Sequence, residues 1–317
     1  MRNAFIREFT ALAEEDPRAL LITGDLGFGV LTEFARRFPG QYLNAGVAEQ
    51  NMTALAVGLA LEGRTVYTYS IGNFPTLRCL EQIRNDACYH NANIKIVAVG
   101  GGFAYGPLGI SHHATEDLAI MRALPNLTVF SPGDSHEVAA ITRLAHHTSG
   151  PCYLRLGRGG EPTVHKARPT LFLGRAVMLA PQGDIALLSC GGMLPVAVEV
   201  RQRLVAQGAT VSLHSFPTLK PLDAELIRHL GHTSRVIATL EEHSILGGLG
   251  GSVAEILAEQ SERTAYLVRC GLGDTFSSIV GSQEYLRHRY QIDVEGVLGR
   301  LCPHIAALVP VSGRTIS

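Results

Sequence analysis

The sequence contains no tryptophan and has few charged residues. Only 17% of its 317 residues are charged, and the formal net charge is −1. Lysine and arginine are scattered along the chain, so no basic surface is expected to attract a nucleic acid or an acidic membrane. We therefore expect no polyanion as a partner.

Cysteine motifs and long apolar runs are also missing. The six cysteines form no CxxC pair and have no metal-ligand spacing, which indicates small, buried apolar residues in a reducing compartment. No apolar run approaches the roughly 18 residues of a membrane-spanning helix, and residues 1–21 lack the apolar block of a signal peptide. We expect a cytoplasmic protein.

Glycine and apolar residues, by contrast, are abundant: 34 residues are glycine, and 46% of the chain is hydrophobic. The first segment places Phe5, Ile6, Phe9 and Leu12 at helical spacing, with Glu8 expected on another face, which predicts an amphipathic helix. Helical stretches then alternate with short apolar runs, each predicted to be a strand: "ALLITGD", "TVYTYS", "IKIVAVGGG", "LTVFSPGD" and "CYLRLGR". This alternation is typical of a parallel sheet.

The same alternation resumes after a segment rich in proline and polar residues. Strands are predicted in "DIALLSCGG", "TVSLHSFPTLKP", "RVIATLEEH" and "TAYLVRCG", with helices between them. We predict an α/β fold of two domains with mostly parallel sheets flanked by helices. The predicted boundaries are a domain over residues 1–163, a linker over 164–174 and a smaller domain over 175–317.

Loops that follow the strands of such sheets are where ligands bind. "TGDLGFG" holds Asp25 among glycines, "SIGNFPTLR" holds Phe74, and "GGGFAYGPLGISHHATED" contains His112 and His113. Each also has a structural interpretation: Asp25 as a helix cap, Phe74 as a core residue, and one histidine as structural or solvent-facing. A nicotinamide-dependent oxidoreductase has little support, because "GDLGFG", "SCGGMLP" and "GGLGGS" all lack the dinucleotide-binding spacing.

A metal site is suggested only by Glu241, Glu242 and His243, which stand side by side in the second domain. Adjacent side chains at a strand end diverge, so the three are poorly placed to share one ion. We predict no metal ligands in this chain.

Glu49 is the most unusual residue of the first domain. It stands at the predicted start of a helix, within "AGVAEQNMTALAVGLALEG". A carboxylate in such apolar surroundings loses hydration unless it has a hydrogen-bonding partner, although the helix dipole offsets part of that cost. Taken alone, Glu49 is open to two interpretations, a role at the helix N-terminus and a functional role.

Several separated motifs, in one order, resemble a known family. The segments "EFARRFPGQYLN", "AGVAEQNMTALAVGLALEG" and "SHHATEDLAIMRALPNLTVFSPGD" resemble the pyrimidine-binding domain of transketolase. They are also similar to 1-deoxyxylulose-5-phosphate synthase and to the beta subunits of 2-oxoacid dehydrogenases. "VIATLEEHSILGGLGGSVAEIL" resembles the C-terminal domain that follows in these proteins.

The resemblance implies a cofactor, thiamine diphosphate, and residues that hold it. In the family a glutamate at the position of Glu49 hydrogen-bonds N1′ of the aminopyrimidine and drives this ring to the imino form, which takes the proton from C2 of the thiazolium. Burial favours the neutral form of a carboxyl, which suits a proton shared with a ring nitrogen. Phe74 falls near the aromatic that stacks on the aminopyrimidine, with Tyr69 as the alternative.

The resemblance also implies substrate-binding residues. Asp25 matches the polar residue of the first loop, where substrate and cofactor meet. His112 matches a histidine that faces the substrate, and its imidazole can hydrogen-bond a carbonyl or move a proton. Arg158 matches an arginine that binds the substrate phosphate, and Arg2 is expected to join it.

Two positions depart from the transketolase pattern. Leu108 replaces an acidic residue that contacts a sugar hydroxyl, and Gly100 replaces a histidine at the start of the long loop. An altered acceptor site is expected, suited to a bulkier or less hydroxylated molecule than an ordinary pentose phosphate.

The family's diphosphate-binding domain, which holds Mg²⁺, has no counterpart among these residues. The resemblance therefore implies a separately encoded partner subunit and an α2β2 heterotetramer. The resulting hypothesis is the beta, or C-terminal, subunit of a split transketolase-like enzyme that transfers a two-carbon ketol unit between phosphorylated sugars or sugar-like acceptors. Two alternatives stay open: a 2-oxoacid decarboxylating acyl transferase subunit and a non-catalytic interaction subunit.

Overall fold

The computed structural model describes residues 1–306. The predicted first helix is α1, Arg2–Glu15, and it ends at Asp16 in front of Pro17, which disfavours further helix. Phe5, Phe9 and Leu12 are buried as expected. The prediction that Glu8 lies on another face than the buried residues is wrong, because Glu8 is buried as well. Its carboxylate forms ion pairs with Arg143 and Arg168, which come from other segments.

The first sheet has seven strands in the order β10-β5-β6-β4-β3-β1-β2. Their bounds are β1 Ala19–Thr23, β2 Tyr42–Asn44, β3 Thr65–Ile71, β4 Ile94–Val99, β5 Thr128–Phe130, β6 Cys152–Leu156 and β10 Thr218–Lys220. All neighbours pair in parallel except β10 and β5. The central strands β1, β4 and β6 are buried along their whole length, which is why they read as continuous apolar runs.

Helices cover this sheet and position its loops. They are α2 Thr32–Arg37, α3 Glu49–Leu61, α4 Leu80–Gln82, α5 Asp117–Ala123 and α6 Ser135–His147. The segment around α4 is irregular, since a 3₁₀ turn at Leu77–Cys79 precedes it and a π-helical stretch at Ile83–Cys88 follows it. Such stretches are often found near functional sites.

The second sheet has five strands in the order β12-β11-β8-β9-β7, with only β7 antiparallel. The strands are β7 Val177–Ala180, β8 Ile185–Ser189, β9 Val211–Ser215, β11 Val236–Ser244 and β12 Tyr266–Leu272. The helices are α7 Leu194–Ala206, α8 Ala224–Thr233, α9 Leu249–Ala258, α10 Gln283–Arg289 and α11 Val294–Ile305. Two mostly parallel sheets flanked by helices confirm the predicted fold class.

One predicted strand is divided between the two sheets. In "TVSLHSFPTLKP" the chain leaves the second sheet after β9, and β10 pairs antiparallel with β5 at the edge of the first sheet. Pro217 lies at the break, and its carbonyl accepts a hydrogen bond from the Ser131 amide at 2.9 Å. Because proline has no amide hydrogen, it suits a position between strands. The second half of the chain thus completes the first sheet.

The segment predicted as a linker has no helix or strand over 164–174. It lies along the first sheet's helices, where Asp134 accepts hydrogen bonds from the amides of Val164 and His165 at 2.9 and 2.8 Å. The His165 ring lies 3.0 Å from the same carboxylate. The segment is therefore attached to the start of α6 by several polar contacts.

The cysteines behave as small apolar residues. All six are free thiols, five are buried and Cys302 is exposed. Burial raises the pKa of the Cys270 thiol to about 12, so it is poorly reactive at neutral pH. Among residues 1–306, no helix combines the length and the apolar character that crossing a membrane requires.

Candidate active site at the carboxyl edge of the first sheet

The loops that follow β1, β3, β4 and β6 meet at one edge of the first sheet. Their strands are neighbours in the order β6-β4-β3-β1 and run parallel, so their carboxyl ends lie together. Asp25, Phe74, Tyr105 and Arg158 come from these loops in turn. This edge is where open α/β sheets bind ligands.

Glu49 is the first residue of α3, and its side chain is 5% exposed. It does not cap its own helix, because the N-cap is Ala48 and α3 has no side-chain capping hydrogen bond. A Cβ atom at Gly24 would lie 3.6 Å from Cγ of Glu49 and 3.3 Å from the carbonyl oxygen of Gly46. Gly24 therefore packs directly against the Glu49 side chain, where an added Cβ would be tight against the Gly46 carbonyl.

Arg78 is the partner of this buried carboxylate. Its Nη1 donates a hydrogen bond to Oε1 of Glu49 at 3.1 Å, and its guanidinium carbon lies 4.3 Å from the centroid of the Phe74 ring. Sequence reasoning missed Arg78, although the need of a buried carboxylate for a partner was a usable signal. The sequence did not indicate which basic residue would pair with Glu49.

Phe74 is half-buried and connects this pair to the long loop. Its ring centroid lies 5.1 Å from that of His112, with the planes inclined at 67°. Burial and the proximity of His113 and Arg78 lower the pKa of His112, which favours its neutral imidazole at pH 7. A neutral imidazole can both donate and accept a hydrogen bond.

His113 is the structural member of the histidine pair. It is buried, its Nε2 lies 3.1 Å from the carbonyl oxygen of Gly106, and its ring meets the Phe103 ring edge-on at 5.1 Å. These contacts hold the long loop in shape and leave His112 at the site.

Tyr105, which sequence reasoning also missed, stands between His112 and Arg158. Its ring centroid is 6.1 Å from that of His112, and the Arg158 guanidinium carbon lies 5.3 Å from it. Gly100 has a φ of +99°, and a Cβ there would overlap Cδ2 of Tyr105. The Tyr105 ring thus fills space that a side chain at residue 100 would need. Leu108 is 55% exposed in a short turn of the same loop.

Asp25, Tyr69 and Arg2, the other residues predicted for the site, lie in three different surroundings. Asp25, at a φ of +56°, exchanges two hydrogen bonds of 2.9 Å with the Asn44 side chain instead of capping a helix. Tyr69 is 2% exposed and stacks on Phe5, and burial raises the pKa of its phenol despite the opposing charge of Arg2. Tyr69 therefore lies within the core, whereas the half-buried Phe74 ring contacts Arg78, the partner of Glu49. Arg2 is half-exposed at the start of α1.

The expected divergence of Glu241, Glu242 and His243 on β11 is wrong in part, because Nδ1 of His243 lies 3.7 Å from Oε2 of Glu241 and only Glu242 points away. Glu241 accepts hydrogen bonds from the amides of Leu249 and Gly250, and burial raises its pKa to about 7. Glu242 turns instead to the Phe103 amide at 2.8 Å and to Arg287. Over residues 1–306, no group of three His, Cys, Asp or Glu side chains is arranged to hold a metal ion.

Gly100 provides a direct test of this loop geometry. Replacing it with alanine should lower the melting temperature, because the new Cβ meets both a positive φ and the Tyr105 ring. Gly63→Ala is the matched control, since Gly63 has a φ of +90° and no atom within 4 Å of the added Cβ. We expect a loss several degrees larger for Gly100→Ala in thermal unfolding. Equal losses would show that Tyr105 does not fill this space.

Two domain families match this chain. The model of the transketolase pyrimidine-binding domain matches residues 1–162, and that of the transketolase C-terminal domain matches residues 174–297. The chain belongs to the transketolase family, for which the cofactor is thiamine diphosphate.

Two relatives of similar length are described as a transketolase subunit and as a split gene transketolase. The chain is 32% identical to one subunit of the apulose-4-phosphate transketolase from Phocaeicola vulgatus, with 93% of this chain and 94% of that one covered. It is 31% identical to 1-deoxy-D-xylulose-5-phosphate synthase from Acidobacterium capsulatum, over 98% of this chain but 50% of that enzyme. A solved structure described as a split gene transketolase, inactive beta4 tetramer, has a TM-score of 0.88 at 34% identity and covers 97% of this chain and 98% of that one.

Proposed function

We propose that this chain is the beta subunit of a split, thiamine-diphosphate-dependent transketolase. Its reaction is the transfer of a two-carbon ketol unit between sugar phosphates or sugar-like acceptors. The observation that carries the proposal is the buried Glu49 carboxylate beside the half-buried Phe74 ring, at the edge of the sheet where ligands bind.

The residues present fit the aminopyrimidine of the cofactor. Glu49 offers a nearly buried carboxylate to N1′, and Phe74 offers an aromatic face. When bound, thiamine diphosphate supplies a nucleophilic carbon that adds to the donor carbonyl. Glu49 would share a proton with N1′ in surroundings that exclude most water, where such a hydrogen bond is strong.

His112 and Arg158 have the chemistry that a phosphorylated ketose requires. The neutral His112 imidazole can hydrogen-bond the substrate carbonyl or transfer a proton, and its place against Phe74 puts it beside the proposed cofactor ring. Arg158 is exposed, so its guanidinium is free to bind a phosphate through two parallel hydrogen bonds. We further propose that Asp25 and Arg2 contribute to substrate binding at the margin of this site.

A partner subunit would bring the ligands of Mg²⁺ and of the diphosphate, in an α2β2 assembly located in the cytoplasm. Phe28, Val47 and Ile110 are 79%, 75% and 53% exposed in or beside the loops of the site, which suits a surface that another chain covers. Names of relatives support the same view, since one is named as a subunit of a transketolase and a solved relative is an inactive tetramer of beta chains.

A decarboxylating reaction is the second candidate. The 31% identity to 1-deoxy-D-xylulose-5-phosphate synthase favours it, because that enzyme carries the same pair of domains within a longer chain. Release of CO₂ from pyruvate by the assembled enzyme would support this candidate, and ketol transfer without CO₂ release would support the transketolase.

Calorimetry of thiamine diphosphate and Mg²⁺ tests the proposed function. The cofactor should bind tightly to the chain assembled with its diphosphate-domain partner and only weakly to the chain alone, because each subunit supplies half of the site. Tight binding to the chain alone would contradict the shared site. Absence of binding to the assembled complex would leave the non-catalytic subunit as the better explanation.

A further inference from the structure

Arg78 makes two contacts at once, and both involve residues assigned to the cofactor. Its guanidinium donates a hydrogen bond to the Glu49 carboxylate at 3.1 Å. The same planar group lies over the Phe74 ring, with its carbon 4.3 Å from the centroid. A delocalised planar cation both stacks on aromatic rings and donates to carboxylates, which a lysine does less well.

The aminopyrimidine of thiamine diphosphate would need the same two surfaces. On the proposed function, its ring stacks on Phe74 and its N1′ hydrogen-bonds Glu49. The Arg78 guanidinium already lies over the Phe74 ring and bonds to one oxygen of Glu49, so it occupies surfaces that the aminopyrimidine would use. The Arg78 contact also uses the ionised carboxylate, whereas the bond to N1′ requires a proton between the two atoms.

We propose that Arg78 competes with the cofactor for its site. In the chain alone, Arg78 occupies the surfaces of Glu49 and Phe74 that the aminopyrimidine would use. Arg78 must leave these surfaces when the cofactor binds. This proposal rests on the proposed function. It goes further by making cofactor affinity depend on a residue that opposes binding.

Exposure decides which of the two partners can move. The Arg78 side chain is 48% exposed, so it can rotate into water and keep its charge solvated. The Glu49 side chain is 5% exposed and sits at the first turn of α3. Arg78 also gives the buried carboxylate a cationic partner as long as the chain is alone, which limits the cost of burying Glu49.

The first test uses the full chain alone and does not depend on any cofactor. A double-mutant cycle of Arg78→Met, Glu49→Gln and the double variant should show coupling in thermal unfolding. Arg78→Met should lower the melting temperature by about 2–4 °C in the presence of Glu49 and by much less in the Glu49→Gln background. Arg84→Met is the matched control, because Arg84 is exposed on the same segment and, among residues 1–306, its guanidinium donates only to the side chain of Asn85. A cycle without coupling would overturn the proposal.

The second test is calorimetric titration of thiamine diphosphate with Mg²⁺ into the assembled complex. Loss of the ion pair and the cation–π contact should tighten cofactor binding by about 3- to 10-fold in Arg78→Met. Arg84→Met should bind like the wild type. Unchanged or weaker binding of the cofactor to Arg78→Met would overturn the proposed competition between Arg78 and the aminopyrimidine. If the wild-type complex binds no cofactor while the cycle shows coupling, then the proposed function fails and the Arg78–Glu49 pair stands.

Discussion

Replacing Glu49 with glutamine should reduce the turnover of the assembled enzyme by at least about 100-fold, the range expected when a group that shares a proton with the reacting system is removed. Glutamine has nearly the same shape and can donate an amide hydrogen bond to a ring nitrogen, but it cannot transfer that proton. Glutamine keeps a polar side chain of the same size and loses the ion pair with the half-exposed Arg78, so we expect the chain to fold and assemble. The measurement is ketol transfer by the purified complex at saturating cofactor.

Glu62→Gln is the matched control for this variant. Glu62 follows the last turn of the same helix, is exposed and lies at the opposite end from Glu49. Its replacement should leave turnover unchanged. If the activity of Glu49→Gln were within a few-fold of the wild type, Glu49 would have no part in catalysis and its role would be structural.

Replacing Asp117 with alanine should cause the largest loss of stability. Asp117 is 1% exposed, and its Oδ2 accepts hydrogen bonds from Tyr153 Oη at 2.6 Å and Arg155 Nε at 2.8 Å. Arg155 also donates to the carbonyl oxygens of Ala114 and Glu242 at 2.8 and 3.0 Å, which joins the long loop to the second sheet. Removing the acid leaves a guanidinium buried without its counter-ion, a change that typically costs about 3–5 kcal/mol.

Thermal unfolding of the full chain measures this effect. We expect the melting temperature to fall by at least about 5 °C. Glu33→Ala removes one member of an exposed ion pair with Arg36 and should leave the melting temperature almost unchanged. If the two variants lost equal stability, the buried network would not hold the loop to the second sheet.

The strands and the main helices were predictable because their signal is local. The apolar runs that were predicted as strands of the first sheet contain β1, β3, β4, β5 and β6, and α1 follows the spacing of its phenylalanines. The exception is "TVSLHSFPTLKP", in which nothing within the segment indicates that β10 joins the other sheet. Its pairing depends on where β5 lies in the folded chain.

The candidate site was predictable in part, from the resemblance and from local pattern together. Glu49 was singled out because a carboxylate in an apolar helix start is costly, and Phe74 and His112 because they follow strands. Arg78 and Tyr105 carry no such local signal, since an arginine or a tyrosine in a loop is ordinary until its neighbours are known. Their contacts join residues that lie 29 and 53 positions apart, Glu49 with Arg78 and Tyr105 with Arg158.

The sequence by itself determined the two α/β domains and singled out a carboxylate at a helix start, and an aromatic and a histidine in loops that follow strands. These properties depend on composition and on periodicity over a few residues. Only the tertiary structure decided that Arg78 pairs with Glu49, that Tyr105 fills the space beside Gly100 and that β10 completes the first sheet. Such choices depend on burial and on distances between remote segments, which exist only once the chain has folded.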